Sequence, residues 1–388
     1  MSEIDSEGHL RLSIVMPCLD EAETLARCIE KARAFLRERG ISGEIVVADN
    51  GSTDGSVELA ERLGARVVHV PARGYGCALR GGIVASRGDF VVMGDADDSY
   101  DFADLGAFID RLEEGHDLVV GNRFQGGIRP NAMPALHRWL GNPVLSAIGR
   151  LFFRSKLGDF NCGLRAFRRT AYDAMDLRSS GMEFASEMII KSQLRGLAVC
   201  EVPTVLHPDG RSRAPHLRTW RDGWRNLRFM LLFSPRWLFL LPGLALMILG
   251  GAMATALLPG SLRVGPAVLD VHTLLVATFA ALLGYQLVVF ALFTQAFAVR
   301  EGYRSATDRP GLLGWFRLEV GVAVGLVCVA AGTWLVGTAV WSWSDVAFGD
   351  LDPGRTMRQV IPGVAAVTFG VQTIYSSFFL GILGLDRD

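Results

Sequence analysis

Two carboxylates, Asp95 and Asp97, follow directly on the short apolar run 89–93 (DFVVM). At i, i+2 spacing in an extended chain both side chains point the same way. Converging carboxylates repel one another unless a cation lies near them. Their hard oxygens suit Mg²⁺ or Mn²⁺, ions that keep waters and take further oxygens from phosphate groups. Acidic loops are common, and it is the place of this pair at the end of a buried strand that singles it out. The neighbouring Asp98 is expected to N-cap the helix that follows. Asp49 ends a second apolar run, 44–48 (EIVVA). A carboxylate there can accept hydrogen bonds from a nucleobase N–H or a ribose hydroxyl, or it can cap its own loop beside the turn residues Asn50, Ser52 and Thr53. Gly74-Tyr75-Gly76 opens a helix but lacks the Gly-Lys-Ser/Thr of a phosphate loop, and Leu79 stands where G-x-G-x-x-G needs its third glycine. A P-loop ATPase and a dinucleotide dehydrogenase both lose support.

The elements that must position these residues alternate along the chain. Residues 11–18 (RLSIVMPC), 44–48, 66–70, 89–93 and 117–120 read as strands. Between them, 21–39, 57–63, 74–86 and 102–112 read as helices, the first with Leu25, Cys28, Ile29, Ala32 and Leu36 on one face. Such alternation implies a largely parallel α/β sheet covered on both faces. Ligands in these sheets bind at the carboxyl ends of the strands. The polar strand exits 17–21, 49–54 and 95–98 are therefore expected to share one edge.

The second half of the chain belongs to a different solvent. Of 388 residues, 50% are hydrophobic and 20% charged, and four long runs without a charge follow Arg236: 237–258, 273–299, 320–343 and 360–385. Each exceeds the ~20 residues that cross about 30 Å of hydrocarbon as a helix. An even number of spans puts both termini on one side. Arg211, Arg213, Arg218, Arg221, Arg225, Arg228 and Arg236 precede the first run, and Arg300, Arg304, Arg309 and Arg317 follow the second. The opposite side carries Arg263, Arg355 and Arg358. The positive-inside rule then places the first half in the cytoplasm, on a multi-pass cytoplasmic (inner) membrane protein. A net charge of -1 disfavours a nucleic-acid binder. Six scattered cysteines without a C-x-x-C pair disfavour a disulfide framework or zinc site. The polar start of the chain lacks a signal-peptide pattern.

Two further segments read as interfacial. In 215–233, Trp220, Trp224, Leu227 and Leu231 recur at helical spacing, interleaved with Arg218, Arg221, Arg225 and Arg228. Residues 122–158 combine Arg123, Arg129, Arg138, Arg150, Arg154 and Lys156 with the apolar Val144, Leu145, Ile148, Leu151 and Phe152. The bland alternative for each is a solvated helix packed on the domain. The scattered histidines, His137 among them, read as structural or surface residues, because none has H-x₃-H spacing.

Taken together these stretches resemble the family-2 glycosyltransferases of GT-A type, and within them the polyprenyl-phosphate glycosyltransferases similar to dolichol-phosphate mannose or glucose synthases. The matching stretches are VMPCLDEAETL (15–25), IVVADNGSTDGS (45–56), RGYGCALRGGIVASRGDFVVMGDADDSYDF (73–102), VVGNRF (119–124), MPALHR (133–138), DFNCGLRAFRR (159–169), MEFASEMIIKS (182–192) and GRSR (210–213). The resemblance implies an N-terminal tail (1–10) and a cytoplasmic GT-A domain (11–213) with an acceptor-loop region at 122–158. Juxtamembrane amphipathic helices (214–236) and a four-helix membrane domain (237–385) complete that layout. By position it assigns Pro17, Leu19, Glu21 and Asp49 to the base and ribose of a UDP- or GDP-sugar, and Asp95 and Asp97 to a metal–diphosphate motif. Arg123 falls near the transferred phosphate, Arg138 in the acceptor loop, and Arg211 and Arg213 over the diphosphate. Where this chain has Arg213, the family often has Lys. Asp159 and Glu187 match acidic family positions whose roles the sequence does not supply. A homo-oligomer is compatible with the family pattern.

The implied reaction is transfer of a hexose from a nucleotide diphosphate to polyprenyl phosphate, with Mg²⁺ or Mn²⁺ and catalytic roles for Asp97, Arg123 and Arg138. A phosphate monoester is already anionic near neutral pH, so it needs no strong general base, and in-line attack inverts the anomeric centre. Two other readings compete. A processive polysaccharide synthase is weakened by the lack of a Q-x-x-R-W motif, and a non-catalytic flippase or anchor by the intact Asp49, Asp95, Asp97 and Arg123.

Overall fold

A computed structural model describes residues 10–212, 219–300 and 318–384. The chain divides into two units, Met1–Phe233 and Ser234–Asp388.

In the first unit, the apolar run after Arg11 forms β1 (Leu12–Cys18), whose Leu12, Ile14, Val15, Met16 and Cys18 are all buried. Burial on both faces is what a central parallel strand requires. Leu25, Cys28, Ile29, Ala32 and Phe35 form the inward stripe of α1 (Leu25–Glu38). The pattern continues with β2 (Gly43–Asp49), α2 (Ser56–Arg62), β3 (Arg66–His69), α3 (Tyr75–Ala85), β4 (Phe90–Met93), α4 (Gly106–Glu113) and β5 (Leu118–Asn122). After β5 come α5 (Arg123–Gly126), a π-helical turn (His137–Gly141), α6 (Asn142–Phe153), β6 (Arg165–Arg168), α7 (Arg169–Met175), α8 (Phe184–Leu194), β7 (Val199–Pro203) and α9 (Thr219–Leu232).

The sheet order is β3-β2-β1-β4-β6-β5-β7. β6 runs antiparallel to both β4 and β5, and the remaining neighbours are parallel. The ends of β1, β2, β4 and β5 consequently emerge at one edge. Register fixes the details: Cys18 lies opposite Asp49, and Val15 opposite Met93. The loop after β4 therefore runs beside the last residues of β1. The expected sharing of one edge by the strand exits holds.

Three details depart from the sequence reading. The first helix begins at Leu25 rather than Glu21, because Glu21–Thr24 turn tightly and Glu21 is diverted to the strand exits. The helix expected at 102–112 begins at Gly106, and Asp98 caps nothing there. Asp98 instead takes a left-handed φ of 61° and pairs with Lys31 at 2.9 Å. The antiparallel β6 carries no apolar run, since two of its four residues are arginines. Arg165 is nonetheless fully buried, because its guanidinium donates to the carbonyls of Cys162, Phe160 and Ala185.

The second unit is helical. A π-helical turn (Arg236–Leu240) leads into α10 (Leu241–Leu257), and a small hairpin of β8 (Leu262–Val264) and β9 (Ala267–Leu269) leads to α11 (Val271–Arg300). Then come α12 (Leu318–Asp345) and α13 (Pro353–Gly384). Among the described residues, four segments are long and apolar enough to cross a bilayer: Arg236–Leu257, Val271–Arg300, Leu318–Asp345 and Pro353–Leu383. Glycines set the close approaches. A Cβ on Gly284 would stand 2.4 Å from the backbone nitrogen of Met247, and one on Gly332 would stand 2.5 Å from the carbonyl of Gly363. Gly321 and Gly325, a small-residue pair in the sequence, both face α13. The α11–α13 contact is sealed by Tyr285 and Thr373, whose hydroxyls lie 2.7 Å apart.

Candidate active site

The strand exits open into a cavity of about 590 Å³ within the first unit. Pro17, Leu19, Glu21, Asp95, Asp97, Arg123 and Arg211 all line it. Seven of the residues expected from the sequence thus meet in one place.

The acidic pole sits where β4 ends. Asp95 accepts a hydrogen bond from the Tyr75 hydroxyl at 2.9 Å. Its other oxygen lies where a side chain on residue 163 would intrude: a Cβ on Gly163 would be 2.5 Å away. Glycine at that position keeps the carboxylate open. Burial, followed by the charge of Asp97, pushes the Asp95 carboxyl up to about 7. Asp97 accepts from the Ser99 amide at 3.0 Å and from the Ser99 hydroxyl at 2.5 Å. Its second oxygen pairs with Arg211 at 2.9 Å.

Arg211 gathers the acids around it. Its guanidinium also reaches Glu21 at 2.9 Å and Asp209 at 2.5 Å. Burial alone would weaken its charge, but the Asp209 hydrogen bonds and the charges of Asp97 and Glu21 hold its pKa above the usual arginine value. One cation thus balances several carboxylates at the mouth of β4.

The donor set fits a hard divalent ion. Asp95 and Asp97 offer carboxylate oxygens from one loop, and burial followed by the charge of Asp97 raises Asp95, a cost that a cation would relieve. Among the described residues no cluster of three or more His, Cys, Asp or Glu side chains could hold a metal ion. Two carboxylates leave most of a six-ligand shell to waters and phosphate oxygens, the pattern of Mg²⁺-type sites rather than of an all-protein cage.

Asp49 departs from its expected place. It is buried at the end of β2, does not line the cavity, and accepts a hydrogen bond from the Ser52 amide at 2.9 Å, with His69 Nδ1 at 3.2 Å. Burial would raise it, but the hydrogen bonds from Ser52 and His69 hold it below the usual carboxylate range. Its neighbour Asn50 lines the cavity instead. Asn50 donates to the carbonyls of Val70 and Ala72 at 2.9 and 2.8 Å and accepts from the Gly74 amide at 2.8 Å. From the sequence Asn50 reads as an ordinary turn residue. Here it ties the loop after β2 to the start of α3.

That start needs glycine. Gly74 has a φ of 131°, and a Cβ there would lie 2.2 Å from the Ser180 carbonyl. The Ser180 loop is held in turn by Glu187, which accepts from the amides of Arg178 and Ser179 and pairs with Lys191 at 2.8 Å. Glu187 therefore positions a loop, and the motif alone gave no sign of it.

Arg123 reaches the cavity from the end of β5, but its charge is committed. Nε and Nη2 meet the two oxygens of Asp159 at 2.6 and 2.8 Å, and both side chains are buried. Asp159 thus acts as the partner of Arg123. Arg138 does not line the cavity; its guanidinium lies 5.3 Å from the Trp139 ring centre. The preceding residue, His137, lines it instead, with burial and then the Arg123 charge lowering its pKa. Both residues are half-buried, and of the two it is His137 that lines the cavity, whereas the resemblance had pointed to Arg138. Arg213 lies outside the described residues, as do Arg218, Arg304, Arg309 and Arg317.

Around this cavity the first unit presents apolar side chains to its exterior. Trp139 is 75% exposed and Trp220 81%, with Leu136, Leu140, Leu151 and Trp224 also exposed. On α9, Asp222 and Met230 are buried while Trp220, Trp224 and Arg228 face outward.

Residues 13–175 match the glycosyl transferase family 2 pattern, and residues 292–384 match the C-terminal transmembrane region of family 2 glycosyltransferases. A Haloferax volcanii protein named low-salt glycan biosynthesis hexosyltransferase Agl6 is 37% identical over 385 residues, spanning 98% of this chain and 91% of the relative. A second protein of that organism, named dolichyl-phosphate hexose transferase, is 30% identical over 193 residues, 50% of this chain and 81% of its own. Among solved structures, glucosyl-3-phosphoglycerate synthase from Mycobacterium tuberculosis covers 58% of this chain and 80% of its own at 23% identity, with a TM-score of 0.46.

Proposed function

The chain belongs to glycosyltransferase family 2, and from that premise we propose that it moves a hexose from a nucleotide diphosphate onto polyprenyl phosphate, inverting the anomeric centre. It is a multi-pass membrane glycosyltransferase with a GT-A catalytic unit. The observation that carries the finer reading is the acidic pole at the exit of β4, Asp95 and Asp97 with Arg211, in the same cavity as the strand exits of β1. Names of two relatives, dolichyl-phosphate hexose transferase and undecaprenyl-phosphate 4-deoxy-4-formamido-L-arabinose transferase, support a polyprenyl phosphate as acceptor.

Each residue then has a task. Pro17, Leu19, Glu21 and Asn50 shape the nucleotide end, with Asp49 bracing the loop beneath. Asp95 and Asp97 would hold Mg²⁺ or Mn²⁺. That ion supplies positive charge for the diphosphate as it leaves. Arg211 adds a second charge and can pass from the carboxylates to the diphosphate oxygens, because a guanidinium binds both in the same two-point manner. The acceptor phosphate arrives as an anion and needs no strong base. Its oxygen forms the new bond to the anomeric carbon, the bond from that carbon to the diphosphate oxygen breaks, and the nucleoside diphosphate departs with the electron pair. The half-buried Arg138 and the exposed Trp139 follow His137 at the cavity and would meet the headgroup layer, where guanidinium and indole groups are favoured. The arginine pattern in the loops supports a cytoplasmic catalytic unit.

Membranes carrying the protein, incubated with a panel of labelled UDP- and GDP-sugars, test this. Label entering an organic-soluble lipid bearing one sugar is the expected outcome. A long polymer identifies a processive synthase, and the absence of any product with every donor identifies a non-catalytic protein.

A further inference from the structure

Beside the acidic pole the same cavity holds a directed chain of side-chain amides that the reaction above does not use. Asn226 of α9 donates to Asn161 at 3.4 Å, and Asn161 donates to Asn142 of α6 at 3.1 Å. Ser186 of α8 donates to the Asn226 oxygen at 3.2 Å. All three asparagines line the cavity. The chain ends on a weak acceptor, for the Asn142 amide nitrogen donates to the thioether sulfur of Met133 at 3.4 Å. An amide donor that rests on a thioether in a cavity gains from meeting a better acceptor. Asp222 lies one helical turn before Asn226 and lines the same wall.

We infer that Asn142, Asn161 and Asn226 form the subsite for the hydroxyl groups of the transferred hexose and set which sugar is accepted; this rests on the donor being a nucleotide sugar, as proposed above. Gly163 touches the open face of Asp95, and Asn161 precedes it by two residues, a span of at most about 7 Å in an extended chain. A hexose joined to a diphosphate held at Asp95 and Asp97 would extend over a distance of that order within the cavity that the three asparagines also line. The chemistry agrees, because an amide both donates and accepts, as a hydroxyl does, and brings no charge to compete with the diphosphate. A polar site built for a particular hydroxyl rejects an epimer by leaving its own groups unpaired.

Saturation-transfer NMR on the purified full-length protein tests this without any acceptor lipid, so its outcome is separate from that of the transfer assay. With UDP-glucose, GDP-mannose and UDP-N-acetylglucosamine offered in turn, wild type should show contact at both sugar and ribose protons of the one it binds. Asn161→Ala and Asn226→Ala should lose the sugar contacts, weaken the nucleotide sugar by about tenfold and leave the free nucleoside diphosphate within about twofold. Discrimination between epimeric donors on the same nucleotide should narrow by about tenfold in binding. Should either variant fail to fold, Asn142→Ala at the end of the chain carries the same expectation. Unchanged sugar contacts and unchanged epimer discrimination overturn the assignment. So does equal weakening of the nucleotide sugar and of the free nucleoside diphosphate, the mark of a merely structural tie.

Discussion

The two units of this chain solve the burial of polar groups in opposite ways. The first buries charge and matches it: Arg123 with Asp159, Glu187 with Lys191, Arg211 with Glu21, Asp97 and Asp209. The second removes side chains where helices meet, so that Gly284 and Gly332 bring backbones together, and its buried hydroxyls pair across the α11–α13 seam. In water a buried charge is tolerated only when paired, whereas in lipid the helices have no hydrophobic drive toward one another and close packing must hold them. The chemistry follows the same division. Charges that can stabilise a leaving diphosphate gather in the first unit, and the second supplies the bilayer context. Substitutions in one unit should therefore fail in a different manner from substitutions in the other.

The largest effect is expected from Asp97→Asn. Transfer should fall by about a thousandfold or more, since a ligand for the charge on the leaving group is lost. Resistance to carbonate extraction should stay at the wild-type level. Appreciable turnover by this variant would break the assignment of chemistry to the first unit.

Asp159→Ala should cost about 3–5 kcal/mol of stability, because it leaves the Arg123 charge buried and unpaired. The matching experiment in the second unit is Gly284→Leu, which forces a side chain against the backbone of Met247. Nucleotide-sugar binding should be lost on heating at lower temperature in the first variant and persist in the second. Equal damage to binding by both would dissolve the contrast between the units.

A smaller effect follows from Asp95. Its carboxyl, held above the usual carboxylate range by burial and then by the charge of Asp97, gives up its proton at higher pH than an ordinary aspartate. A divalent ion needs the ionised form, so Mn²⁺ should bind more tightly at pH 8 than at pH 6. Titration followed by Mn²⁺ electron spin resonance at pH 6 and pH 8 measures this, and a flat profile would contradict the environment assigned to Asp95. The smallest effect is expected from Trp220→Ser with Trp224→Ser. The spans still anchor the chain, so KM for the lipid phosphate should rise by only about two- to fivefold, with binding of the nucleotide sugar unchanged. An unchanged KM would remove these exposed rings from the membrane contact.

The sequence showed these features where one residue type implies one environment. Alternating apolar runs marked β1 to β5, and charge-free runs marked the spans, because both rest on how much apolar surface must leave water. The Asp95–Asp97 pair was visible because two acids beside a buried strand need a reason. What stayed hidden depended on partners distant in sequence. Arg165 sits in a strand of half arginines because three carbonyls converge on it, and no local pattern announces that. Asp98 looked like a helix cap until Lys31 claimed it. Of His137 and Arg138, neighbours in a π-turn, the histidine lines the cavity, which a helical period of 3.6 does not anticipate. Asn50 and the asparagines of the amide chain are common turn residues by type, and only their meeting in space gives them meaning.

Direct attack by a lipid phosphate on a donor activated in the first unit is the event on which the assigned roles depend. NMR of the glycosyl phosphate made by the purified chain, its preferred nucleotide sugar and a polyprenyl phosphate reads that event in a single product. One sugar linked through phosphate, with anomeric configuration opposite to the donor's, is the predicted result. Retained configuration, or release of free sugar with the lipid phosphate untouched, would contradict it.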